Sequence, residues 1–161
     1  MQMSQSSENP LTVPSQGRLA GVDYGSVRIG VSICDPSQHF VNPLETYPRR
    51  NAILDSQYFI QLARNERIVG WVIGLPIHCD GQESQKSMEV RQFANWLGEL
   101  TQLPFAFADE RFSSREASNL LYETGWSRDK KKKNLDKIAA YLILEHFLRS
   151  RTSGEFRSLQ D

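Results

Sequence analysis

The stretch over residues 19–35, LAGVDYGSVRIGVSICD, constrains this chain more than any other. Residues 19–22 form a short apolar run that reads as the central strand of a sheet. A second run, residues 29–33, resumes after a connection containing Gly25, Ser26, Val27 and Arg28. Two such runs around a glycine-containing connection read as a β-hairpin. Asp23 arrives where the first strand should end, with Arg28 a few residues away. A carboxylate avoids a half-buried position unless a partner compensates it. A metal ion is one such partner.

The rest of the chain alternates strand and helix patterns. Residues 1–17 are rich in Ser, Gln and Pro and read as a disordered leader. A third strand is expected over residues 40–46, weakened by Asn42-Pro43. Asp55 or Ser56 is expected to cap a helix whose face carries Tyr58, Phe59, Leu62 and Ala63. Residues 68–73, IVGWVI, are the clearest buried strand, ending in Gly74-Leu75-Pro76 and a loop through Asp80-Gly81. A helix follows over residues 83–100, and then PFAFA delivers Asp109-Glu110-Arg111. Ser113 and Glu116 have capping-box spacing, and Gly125 is a stop for the helix they begin. Residues 128–133 read as a basic loop, residues 135–148 as the last helix, and residues 151–161 as a flexible tail. The expected domain, residues 18–150, is a mixed α/β sheet with helices on both faces.

Composition narrows the function without naming it. Lys plus Arg total 19 and Asp plus Glu total 19, so net charge makes no case for nucleic acid or membrane. Any such case must come from local clustering. Cys34 and Cys79 lie in no Cys/His ligand spacing and read as reduced, buried thiols of a cytoplasmic protein; structural zinc is disfavoured. The sequence has no apolar run of about 18 residues and no secretory signal pattern.

Three acidic sites fall where ligands gather in an open α/β sheet, at the carboxyl ends of strands. Asp23 ends the first strand, and Asp109 and Glu110 end the last. Asp136 is phased with Ala139, Ala140, Ile143, Leu144 and Phe147, so it faces the sheet near the start of its helix. Each has a bland reading: an Asx turn at Asp23, surface pairs with Arg111 or Arg115, a macrodipole partner at Asp136. Converging carboxylates repel and raise one another's pKa, a cost that a divalent cation reverses. Oxygen donors without His or Cys favour Mg²⁺ or Mn²⁺, one ion or two, and suit phosphodiester cleavage. Lys130, Lys131, Lys132 and Lys133 flank Asp136 and can hold phosphates; Arg28 and Arg111 can contact the scissile phosphate or orient the acids by ion pairs.

Four blocks, GVDYGSVRIGVSICD, GLPIHCDG, FADERFSS and KKKKNLDKIAAYLIL, resemble in that order the motifs of the YqgF family, over about residues 19–148. Its members are RNase H-like nucleases, described as Holliday junction resolvases and as nucleases that process the 5′ end of pre-16S rRNA. The resemblance implies an RNase H-like fold, a five-stranded mixed sheet flanked by helices. It also implies catalytic Asp23, Asp109, Glu110 and Asp136, with Asp23, Glu110 and Asp136 as metal ligands. The implied partner is nucleic acid, structured RNA before branched DNA, with the ribosomal small-subunit precursor as the biological setting and a monomer or homodimer as the working unit. Val27 stands where the family usually has Lys, and Phe112-Ser113-Ser114 where it has Leu-Thr-Thr. Related nucleases carry an acid at the end of the fourth strand, where this chain has Gly74, which implies a looser site. Asp80 is a weak substitute. A nucleic-acid-binding assembly factor with little catalytic power is the competing class. A sugar-kinase-type phosphotransferase needs two such domains, and this chain has length for one.

Overall fold

The computed structural model describes residues 13–76, 84–110 and 113–153. Three antiparallel strands open the fold: β1 (Arg18–Asp23), β2 (Arg28–Cys34) and β3 (Val41–Pro48). Then come α1 (Ala52–Asn65), β4 (Ile68–Leu75), α2 (Gln85–Thr101), β5 (Phe105–Asp109), α3 (Ser113–Tyr122) and α4 (Arg128–Ser153). The five strands lie in the order β3-β2-β1-β4-β5. β4 joins β1 in parallel and β5 joins β4 in parallel, so the carboxyl ends of β1, β4 and β5 share one edge. The expected mixed sheet is present, with β1 at its centre.

Strand alternation sorts the side chains between two layers. Ala20, Val22, Ile29, Val31, Trp71 and Ile73 pack against Phe59 and Leu62 of α1 and Val90, Phe93 and Leu97 of α2. Leu19, Cys34, Val72 and Ala106 pack on the other face against Ile143, Leu144, Phe147 and Leu148 of α4. Fully burying a side chain such as Phe59 or Ile143 contributes about 1.5–3 kcal/mol. α3 stands outside the sheet and packs on α4 through Ala117, Ala139 and Leu142.

Several boundaries differ from the sequence expectation. The basic stretch 128–133 is not a loop but the first turns of α4, capped by Ser127, whose hydroxyl accepts from the Lys130 amide at 3.2 Å. Lysine is a good helix former, and solvent takes its charge. Asp136 therefore sits in the third turn, beyond the end where the macrodipole acts. α1 starts earlier than expected because Asn51 accepts from the Leu54 amide; Asp55 is not a cap but a buried acid.

The leader ends sooner than residue 17. Val13 is buried in the α4 layer, and the Arg151 guanidinium donates to the Val13 and Pro14 carbonyls. That contact also holds the end of α4, which runs to Ser153, into the expected tail. The leader before residue 13 and the tail after residue 153 lie outside the described residues. Cys34 is a buried free thiol and accepts from the Leu19 amide at 3.2 Å; Cys79 lies outside the described residues. Among the described residues no helix is long and apolar enough to cross a membrane.

Candidate active site

Asp23 is the last residue of β1 and pairs across the ladder with Gly30. Alternation from Leu19 through Gly21 puts its side chain on the α4 face. That face is lined with residues too small to hold a helix away. A Cβ at Gly30 would collide with the backbone carbonyl of Asp136, and one at Gly21 would lie 2.7 Å from the Ala140 carbonyl. The Ser32 hydroxyl donates to that same carbonyl at 2.7 Å. The α4 backbone thus rests directly on β1 and β2. This close approach, one turn before Ala140, carries Asp136 to the end of β1.

Glu110 completes the group from the far side. Its amide donates to the Leu75 carbonyl at 3.4 Å, extending the β4–β5 ladder by one residue. Glu110 shares its side of the strand with Ala106 and Ala108, which pack toward α4. Its carboxylate lies over Gly74, 2.5 Å from where a Cβ would stand. Glu110 thus stands where a fourth-strand acid would, although among the described residues the acids do not close on a common point. A glycine at the end of β4 makes room for an acid that arrives from β5.

Asp23 and Glu110 are hydrogen-bonded to each other. Burial, the charges of Glu110 and Asp136, and that hydrogen bond push the Asp23 pKa up to about 8, against the opposing pull of Lys86. Burial also raises Glu110, and Lys86 again opposes. At neutral pH the pair therefore shares a proton. Asp136 has a different partner: its Oδ2 accepts from Arg28 Nε at 2.9 Å. Arg28 thus reaches the acids as an orienting cation.

Asp109 is exposed, and by alternation it goes with Phe105 and Phe107 to the α1–α2 side. It acts on Glu110 through charge, helping to raise its pKa. Arg111 and Asp80 lie outside the described residues. Lys132 and Lys133 precede Asp136 by one turn, with Lys130 and Lys131 farther along the same helix. A cleft of about 490 Å³ opens beside the acids, lined by the Tyr24–Arg28 connection, the start of α2 and Asp136.

Asp23, Glu110 and Asp136 are three carboxylates with no His or Cys among them, donors that would suit a hard divalent cation. Among the described residues no three acids, His or Cys yet surround a common point. Asp23 and Glu110 face each other while Asp136 leans to Arg28.

Lys86, which the sequence pattern did not single out, lines the cleft, and its charge acts on both Asp23 and Glu110. It lies in the first turn of α2, behind the Ser84 cap, where a cation opposes the helix macrodipole. A lysine two residues after a cap serine was the available signal.

The family model described as RuvX, Holliday junction resolvase, matches residues 17–150. The chain belongs to this family. A Rhodopirellula baltica protein named "Putative pre-16S rRNA nuclease" is 52% identical over 143 residues, 88% of this chain and 83% of its own length. A Zymomonas mobilis protein of the same name is 37% identical over 133 residues, 83% of this chain and 81% of its own length. Among solved structures, RuvC of T. thermophilus in complex with a Holliday junction substrate aligns with a TM-score of 0.52 at 9% identity. It covers 83% of this chain and 95% of RuvC. A second T. thermophilus RuvC structure aligns at 0.50. At such identities the likeness concerns the fold, and it makes this RuvX member RNase H-like.

Proposed function

We propose that this RuvX-family protein is a divalent-metal-dependent nuclease that hydrolyses phosphodiester bonds in structured RNA and trims the 5′ end of pre-16S rRNA. The observation that carries this reading is the placement of Asp23 and Glu110 side by side at the carboxyl edge of the sheet, with α4 carrying Asp136 to the same edge. Membership in a family whose relatives are named as pre-16S rRNA nucleases favours the RNA substrate. The family description as Holliday junction resolvase favours a second reading, branched DNA cut by the same chemistry.

Asp23, Glu110 and Asp136 would hold Mg²⁺ or Mn²⁺, one ion or two. A bound ion supplies the positive charge that lets the acids ionise together, polarises the phosphate and eases deprotonation of the attacking water. The chain's own residues supply the rest. Asp23 and Glu110 would give up a proton to solvent on taking a cation. Arg28 fixes the orientation of Asp136. Lys86 keeps Asp23 and Glu110 from holding the proton more tightly, and stands beside the cleft for a phosphate oxygen. Lys132 and Lys133, one turn before Asp136, hold the neighbouring phosphates without reading sequence.

The test is incubation with a pre-16S rRNA 5′-leader fragment and with a four-way DNA junction, in Mn²⁺ or in EDTA, beside Asp23→Asn. Cutting of the RNA that needs Mn²⁺, reduced about 100-fold or more in the variant, is the expected result. Cutting of the junction alone moves the protein to the resolvase reading. Binding without cutting, equal in both proteins, makes it an assembly factor.

A further inference from the structure

The junction of α3 and α4 carries two aromatic rings that neither the core nor the acid site uses. Tyr122 ends α3 with 79% of its surface exposed. Trp126 lies half-buried in the connection, four residues on. The Lys131 ammonium stands 5.2 Å from the centre of the Tyr122 ring, and the Lys130 ammonium 4.3 Å from the centre of the Trp126 ring. Arg128, Lys132 and Lys133 extend the positive surface along α4.

A structural role does not account for this arrangement. Cations in the first turns of a helix oppose its macrodipole. Lys130 and Lys133 repel at i,i+3, and Arg128 and Lys132 at i,i+4. Cation–π contacts at exposed sites contribute too little to select such a cluster. Charge complementarity instead points to a polyanion. Duplex phosphates would be served by the lysines alone, whereas exposed rings beside cations match unpaired bases, which offer π-faces between phosphates.

We propose that Tyr122 and Trp126, with Lys130 and Lys131, form a stacking platform for the unpaired bases of a single-stranded nucleic acid segment. A base packs on the open face of Tyr122 while the lysines hold the phosphates on either side. From Lys130 to Asp136 is six residues of helix, about 9 Å, or about three stacked nucleotides. Lys130 and Asp136 also lie about 120° apart around the helix, so a strand on the platform winds round α4 to reach the acid cleft; that course, though not the binding itself, rests on the nuclease reading. The substrate class it specifies is a single strand flanking the bond to be cut.

The experiment is fluorescence anisotropy with the full chain in EDTA. The probes are a labelled 12-nucleotide oligouridylate, the matching oligothymidylate and a blunt 12-base-pair RNA duplex. Tyr122→Ala is expected to weaken single-strand binding about 5- to 150-fold and to leave the duplex within about twofold, the selectivity that stacking gives. Tyr122→Phe, which keeps the ring, should bind as the wild type does. Loss on the RNA strand alone, or on both strands, supports the platform and states which sugar it accepts. Equal loss on duplex and single strand, or no loss, overturns it. So does a sedimentation result in which Tyr122→Ala abolishes a dimer without changing oligonucleotide binding, since the rings would then serve a second copy of the chain. Tyr122 is exposed, so unchanged thermal unfolding of the variant is the folding control. The outcome is independent of catalysis: a protein that never cuts in Mn²⁺ can still show the platform, and one that cuts can lack it.

Discussion

The fold encloses two acids on opposite sides of the same sheet, Asp23 at the end of β1 under α4 and Asp55 in the first turn of α1, and their surroundings drive them in opposite directions. Asp55 is 2% exposed. It accepts from the Tyr47 hydroxyl at 2.7 Å, the Arg50 amide at 3.0 Å and Arg49 Nε at 3.3 Å. Burial alone would raise its pKa, but these donors outweigh it and hold the carboxyl below the usual range. Asp23 also lies in a desolvated place, yet its neighbours are Glu110 and Asp136, and its pKa goes up. A buried acid is therefore not by itself a sign of function. An acid with donors around it is a structural element. An acid surrounded by acids leaves a positive charge to be supplied from outside.

The widest separation between the two should come from removing Asp55. Asp55→Ala leaves Arg49 and the Tyr47 hydroxyl facing a void, and is expected to cost about 3–5 kcal/mol in urea unfolding. Cleavage per folded molecule should be retained. A comparable loss of cleavage in the folded fraction would make Asp55 part of the site.

The pH dependence of stability should split the two acids next. Between about pH 4 and 8 the folded state holds the Asp23 proton and the unfolded chain does not, so this group's contribution falls as pH rises. Asp55 has the opposite sign: its contribution is present above the unfolded carboxylate pKa and is lost as the medium is acidified below it. Without divalent cations, Asp23→Asn should flatten the upper limb of a melting-temperature profile and leave the acid limb in place. An unchanged upper limb would mean that Asp23 is ionised at neutral pH.

Gly30→Ala tests whether the close approach of α4 makes the acid site. The added methyl meets the Asp136 carbonyl, so the helix must move. Overpacking of this kind costs about 1–3 kcal/mol. Cleavage should fall by more than the folded fraction does, because Asp136 is displaced with the helix. The smallest effect is expected at Lys86. Lys86→Met removes a charge that favours ionisation of Asp23 and Glu110. The acid limb of the cleavage profile should shift to higher pH while stability changes little; a fall in rate with no pH shift would confine Lys86 to phosphate binding.

Much of this was legible in the sequence, because the decisive patterns are local. The β1–β2 hairpin, the IVGWVI strand and the carboxyl-end positions of Asp23 and Glu110 follow from runs of fewer than ten residues. What could not be read depends on distant chain. Val13 looked like leader because what covers it, the end of α4, lies 138 residues away. Alternation along PFAFADE separates Asp109 from Glu110, yet only the position of α4 says which of the two faces the site. Gly30 and Gly74 gave no signal beyond being small residues in strands. Their importance lies in the helix that rests on one and the carboxylate that occupies the place of the other's missing side chain.

The central claim is that Asp23 and Glu110 share a proton that a cation displaces. Calorimetric titration of the full chain with Mn²⁺ at pH 7, in two buffers of different ionisation enthalpy, measures that displacement. The account predicts saturable binding with release of about one proton per site, and loss of that release in Asp23→Asn. Binding without proton release, or release unchanged in the variant, would contradict it.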